Sequence, residues 1–335
     1  MSVLGLDGSA SALQMPDTGE ADEEVLAALR AGASPETLAL IDEVRHPSKP
    51  SWTSQVGLLA LSLLLFVSIG LVQWSFAEIV LLVAVLLVHE GGHYLAMQAF
   101  GYRDVRMFFI PLFGAAVSGY GDEAPGHQRT LVALAGPLPG VLLGTALGFV
   151  NLVVGQPLLA DLAKMFLFLN IFNLLPLLPL DGGHVMQVTL FGRNPKLEAG
   201  FQVVAAGCLL MLAVAWGAWL LGLLCVMMLL GVSRIVKIGR VVAQLRSAGE
   251  PIPAGALRNG PLHYLVRVVE EMDAVFVGET RPAVRRANLE AVLEKLGRRS
   301  PGAMATMALL AVYATTFVIA LIGAVVVMAP RAPQP

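Results

Sequence analysis

From residue 201 to residue 232 the chain runs 32 positions without one charged side chain. A hydrocarbon core about 30 Å thick is crossed by roughly 20 apolar residues of α-helix. The run therefore exceeds one upright crossing and suits a helical hairpin turning near Trp216, Gly217 and Trp219. Further apolar stretches of spanning length lie at 56–72, 79–100, 130–150, 158–178 and 303–328. The chain is 56% hydrophobic and 14% charged, with a mean hydropathy of +0.74, against about 25% charged residues in soluble domains. Water is not its main solvent. The expected class is an all-α polytopic membrane protein with six to seven transmembrane helices.

The polar remainder divides the chain into an acidic N-terminal arm (1–50), a membrane core (51–233), a small basic helical domain (234–302), and a last span with its tail (303–335). The arm carries nine acidic and three basic side chains, net −6, whereas residues 234–302 carry twelve basic and seven acidic ones, net +5. The two pieces can attract each other. The arm lacks the basic start and short apolar core of a secretory signal, so no cleaved leader is expected. Helices are possible at 20–30 and 35–44, the alternative being a loosely ordered tail. Residues 262–276 and 282–296 read as two amphipathic helices, and about 65 residues need support from the membrane or a second copy to bury a core. Lys and Arg collect in cytoplasmic loops. That rule places the arm, residues 234–302 and the site mouth inside, with the cell membrane as the expected location, seven crossings and Pro335 outside.

Residues 102–120 are rich in Val and aromatics and contain Pro111, which favours extended backbone over helix. Backbone at membrane depth must be paired inside protein or face a wet cavity. The segment reads as a re-entrant β hairpin beside a cleft, with an interfacial loop as the alternative.

The second span carries His89, Glu90, Gly91, Gly92 and His93 within an otherwise apolar stretch. Residues four apart share a helix face, so both imidazoles can reach one metal while Glu90 stands beside it in another direction. An intramembrane carboxylate costs roughly 2.5 kcal/mol or more, and such groups are retained where a site or pathway needs them. The only cysteines, Cys208 and Cys225, lie together in the 201–232 run and offer neither a disulfide framework nor a thiolate site. Metal must therefore be held by His and carboxylate.

A hydrolytic zinc site uses three protein ligands and one open position. Of the acidic residues in the membrane core, Glu78 and Asp161 fall at span ends, within reach of water. Asp181 instead follows Pro176 and Pro179, which break the helix, and precedes Gly182 and Gly183, which permit close approach. It is the candidate third ligand. His127 sits in a polar loop, where solvation is the default.

His89-Glu90-Gly91-Gly92-His93 and the later run from Asn173 through Pro176, Pro179 and Asp181 to Gly183 resemble the paired signatures of the site-2 proteases, the intramembrane zinc metalloproteases. Ala135-Gly136-Pro137 and the strand-like 108–119 segment are similar to that family too. The resemblance covers about 85–185. It implies one zinc per chain on His89, His93 and Asp181, Glu90 as base, and Asn173 as a polar contact to substrate or oxyanion. His184 would lie near the cleft without being a ligand. Many members carry Asn three positions after the Ala-Gly-Pro proline, where this chain has Gly140. The 29 residues 101–129 cannot hold the peptide-binding domain some relatives insert, and 234–302 does not read as a nucleotide-binding tandem.

Zinc acidifies water and Glu90 can move its proton, which points to hydrolysis of peptide bonds in or near membrane spans. The expected substrate is a single-span or membrane-anchored protein within the lipid bilayer. A homo-oligomer is compatible with the sequence, and no nucleic-acid partner is expected. The alternative is a zinc or proton-coupled transporter, since His, Asp and Glu on broken helices also mark ion paths. A transporter needs no base beside its metal, and related halves are not visible in the sequence.

Overall fold

The structure is a computed structural model. It describes residues 32–46, 52–72, 74–110, 114–120, 124–192, 194–217, 219–249, 257–297 and 301–329; the helix expected at 20–30 lies outside them. Six helices or helix pairs among the described residues are long and apolar enough to cross a bilayer: Thr53–Gly70, Phe76–Ala99, Gly126–Val154, Pro195–Trp216, Leu221–Ser247 and Ala303–Met328. This is a multi-span membrane protein, and its lipid-facing surface is apolar: Leu61, Phe168, Leu230 and Val325 are all more than half exposed.

In chain order the elements are α1 (Pro35–Arg45), α2 (Trp52–Gly70), α3 (Phe76–Ala99), β1 (Arg103–Ile110), β2 (Gly114–Tyr120), α4 (Gly126–Ala135), α5 (Pro137–Val154), α6 (Pro157–Asn173), the short α7 (Asp181–Met186), α8 (Pro195–Trp216), α9 (Trp219–Ser247), α10 (Leu262–Val275), α11 (Pro282–Gly297) and α12 (Ala303–Met328). A π-helical turn, Gln187–Phe191, prolongs α7. The boundaries follow from local chemistry. Ser75 caps α3, its Oγ accepting from Glu78 N while the Glu78 carboxylate accepts from Ser75 N, a capping box that holds Glu78 at the span end. The 201–232 run is a hairpin of α8 and α9. It turns at Gly217, whose φ of 62° is the left-handed conformation that glycine adopts without steric cost.

The fourth expected crossing, 158–178, is shorter than the apolar run. Backbone before proline is disfavoured in the helical region, so with Pro176 three residues on, α6 stops at Asn173 after 17 residues, about 25 Å at 1.5 Å per residue. Helix breaking frees carbonyls, and in a membrane these need partners from neighbouring elements. The Tyr313 hydroxyl of α12 donates to Leu174 O at 2.6 Å. His127, expected in a loop, lies exposed on the first turn of α4; α4 begins one residue after Pro125, which supplies an extended N-cap.

Membrane helices gain little from hydrophobicity against one another, so close packing at small residues carries the contact. Helix α5 packs on α6 and α12: Gly144 lies against Phe166 and Leu167, and Gly323 of α12 against Thr145. Beyond the membrane core, α1, the distal half of α9, α10 and α11 share one apolar core, including Ile41, Val44, Val241, Leu265, Val268, Leu289 and Val292. The support a 65-residue polar segment needs comes from the N-terminal arm. Charge adds to it, with Arg286 on Glu43 at 2.6 Å and Arg45 donating to Gly260 O at 2.6 Å.

Strands β1 and β2 pair antiparallel, with Met107 facing Val117 and Phe109 facing Ala115. Phe109 N donates to Ser62 Oγ of α2 at 3.0 Å, so its amide points away from β2. In an antiparallel ladder the pairs alternate between bonded and non-bonded. Phe109–Ala115 and Met107–Val117 are therefore non-bonded pairs, and Ala115 and Val117 turn their backbone groups to the open edge of β2. The outer edge of β1 is covered by α2; that of β2 faces a cavity.

Candidate metal centre

His89 and His93 occupy one face of α3, both buried, with ring centroids 5.0 Å apart. Each ring is oriented by its Nδ1. That of His93 donates to Val132 O at 2.8 Å; a carbonyl only accepts, so the proton is on Nδ1 and Nε2 carries a lone pair. That of His89 lies 2.8 Å from Asn170 Oδ1. The Asn170 Nδ2 donates to Phe166 O at 2.7 Å, which fixes the amide with its oxygen toward His89. The His89 proton is on Nδ1 as well.

Asp181 opens α7 opposite these rings. Its oxygens stand 3.1 Å from His89 Nε2 and 3.3 Å from His93 Nε2, and the three donors all lie within 4.8 Å of one another. Gly182 and Gly183 permit this approach, because a Cβ on either would collide with the backbone of the 174–178 loop. Gly136, between α4 and α5, likewise leaves room for the His93 ring.

Two Nε2 lone pairs thus face a carboxylate whose Oδ2 is buried without a hydrogen-bond partner. With both rings neutral, three electron-rich atoms converge there, which fits a cation. Donors at 2.0–2.1 Å around a tetrahedral zinc stand roughly 3.3 Å apart, which agrees with both His–Asp separations. Among the described residues, no other group of three His, Cys, Asp or Glu side chains meets the same spacing.

The centre lines a cavity of about 520 Å³. Glu90, 6% exposed, lines it beside the metal donors, and its carboxylate faces the Val117 backbone N–H of β2. Asn173 stands on the cavity wall and donates to Leu169 O at 3.0 Å, which leaves its second N–H for another acceptor. His184 lines the cavity from the exposed side of α7, apart from the ligand cluster. Residues that the sequence reading passed over also reach it: Arg129, Gln187 and Glu294. Asn170 was missed as well; its one signal is an amide inside an apolar helix, a turn before Asn173.

Residues 77–166 match the family model described as peptidase family M50. That stretch is similar to the M50 peptidases. The match includes the His89–His93 signature and ends before Asn173. A zinc metalloprotease of Methanocaldococcus jannaschii is 31% identical over 148 residues, 41% of this chain and 42% of that protein. A putative zinc metalloprotease of Synechocystis sp. is 32% identical over 168 residues, 47% and 44% of the two chains. Stage IV sporulation protein FB of Bacillus subtilis is 27% identical over 161 residues, 46% and 54%. The chain spans about half the length of these curated relatives. Among solved structures, the site-2 protease from Methanocaldococcus jannaschii aligns with 53% of this chain and 87% of its own, at 22% identity and a TM-score of 0.39.

Proposed function

We propose that this protein is an intramembrane zinc endopeptidase that hydrolyses peptide bonds in or near the membrane segments of anchored proteins. The observation that carries the reading is the convergence of His89 Nε2, His93 Nε2 and the orphan Asp181 Oδ2 beside a second, non-ligating carboxylate, Glu90, in one cavity. Zinc held by those three residues supplies Lewis acidity, polarising a carbonyl and acidifying water. Glu90 would accept a proton from the attacking water as its oxygen bonds to the scissile carbon, and return it to the amine as the C–N bond breaks. The remaining N–H of Asn173 is available to the oxyanion.

A peptide bond within a helix is shielded by the helix's own hydrogen bonds, so the substrate must unwind first. The open edge of β2 supports this step, since Ala115 presents its N–H and C=O, and Val117 its C=O, to an unwound strand that adds there. Such pairing demands little of the substrate sequence. The lipid bilayer supplies the setting, and the positive-inside pattern supports a cytoplasmic mouth in the cell membrane. A transporter is the lesser reading, since it assigns no task to Glu90. Reconstitution with a membrane-anchored reporter tests the proposal: cleavage by wild type and none by Glu90→Gln is expected. Zinc flux across the vesicles without cleavage would overturn it.

A further inference from the structure

We infer that Asn170 is the residue that positions His89 for metal binding, and that position 140 is glycine because the Asn170 amide fills the space a side chain there would need. The inference rests on the metal-centre reading above and adds a positioning residue to it.

Asn170 is fully buried in the middle of the bundle. An amide in such surroundings is tolerated only when its polar atoms are paired. Both ends are used here: Nδ2 donates to Phe166 O of its own helix, and Oδ1 accepts from His89 Nδ1 on α3. The first bond makes the second directional. Rotating the amide would set its oxygen against the Phe166 carbonyl, two acceptors facing each other, so the oxygen is held toward His89. This keeps the His89 proton on Nδ1 and its lone pair on Nε2, the atom 3.1 Å from Asp181. Without an acceptor at Nδ1, the imidazole can rotate or carry its proton on Nε2, and that tautomer cannot ligate from this side.

Gly140 on α5 completes the arrangement. A Cβ built there collides with Asn170 Nδ2 and comes within 2.7 Å of its Cγ and 2.9 Å of its Oδ1. The asparagine amide therefore lies in the cradle left by the missing side chain. The geometry also suggests an exchange. In an asparagine the amide oxygen is about 2.4 Å from its own Cβ, from standard bond lengths, so an asparagine at 140 can bring its oxygen to the place that Asn170 vacates.

The test measures zinc affinity of the purified full-length protein by chelator competition, with circular dichroism to verify folding. Wild type is expected to hold one zinc per chain. Asn170→Leu should weaken binding about 10–100-fold, the usual effect of removing a partner of a ligating histidine. Asn170→Asp keeps an oxygen toward His89 but sets its other oxygen against the Phe166 carbonyl, so it should recover only part of the affinity. If the leucine variant fails to fold, Asn170→Ala is compared with Asn170→Ala/Gly140→Asn, where the added asparagine should restore at least tenfold of the loss. Zinc in wild type together with unchanged affinity in Asn170→Leu, or no recovery in the exchange variant, overturns the inference and leaves the metal reading standing. A wild-type protein without zinc affinity removes both.

Discussion

Arg129 on α4 and Glu294 on α11 meet at 2.5 Å, and both line the cavity that holds the metal centre. The next residue on α11, Lys295, pairs with Glu198 at the start of α8, and Glu198 also accepts from Gln187 at 2.6 Å, which lines the same cavity. The extramembrane helix α11 is thus docked beside the cavity through two ion pairs of unequal burial. The Glu198 side chain is 4% exposed and that of Glu294 41%. Breaking a buried pair costs more than it gains, because a buried charge loses its counterion. Lys295→Met should destabilise the protein by about 3 kcal/mol, and Glu294→Gln by less than about 1 kcal/mol. Melting temperatures in detergent check this. The double variant Lys295→Met/Glu198→Met should regain much of the loss.

Metal content tests the ligand set. Wild type should bind one zinc per chain, and Asp181→Ala should lose it, since two histidines leave the ion one donor short. Full occupancy in Asp181→Ala, measured by elemental analysis, would remove Asp181 from the site. Chelation should abolish cleavage, and added zinc should restore it.

Glu90→Gln should keep the metal, bind substrate and fail to cut it, with cleavage lowered at least about 100-fold by loss of the base. The amide preserves shape but cannot take a proton from water. Cleavage within a few-fold of wild type would refute the assignment, and loss of zinc on its own would make Glu90 a ligand.

The open edge of β2 makes its own prediction. Proline at position 115 removes an N–H that points to the cavity side and not to β1, so Ala115→Pro spares the ladder. Losing one main-chain bond to substrate should slow cleavage about tenfold, with zinc content unchanged. An undiminished rate would show that the substrate does not add at this edge.

Orientation in the bilayer is tested by fusions of a reporter active only in the cytoplasm. A fusion after Arg258 should be active and one after Pro335 inactive, as Arg234, Lys237, Arg240 and Arg246 lie on α9 beyond the apolar 201–232 run. The reverse result would invert the mouth of the cavity.

What could be read without a structure were the regularities that run along the chain. Apolar length marks the crossings, Gly217 marks the hairpin turn, and the spacing of His89 and His93 sets both rings on one face of α3 because an α-helix repeats every 3.6 residues. The β1–β2 pairing was legible from the aromatic and β-branched residues of the segment and from Pro111 for the same reason. The approach of Asp181 to those rings was not, since it depends on a broken helix returning across 88 residues of chain, and only the candidate carboxylates could be narrowed. Nor did anything in the 157–173 helix distinguish Asn170 from an incidental amide: its meaning comes from the His89 proton it accepts and the Gly140 cradle it fills. The same holds for the docking of α11, where the opposite net charges of the two polar segments predicted attraction but not the partners Glu198 and Lys295. Periodicity and composition are local and survive in one dimension, whereas hydrogen-bond direction, burial and packing at a glycine exist only once distant segments share the same few ångströms.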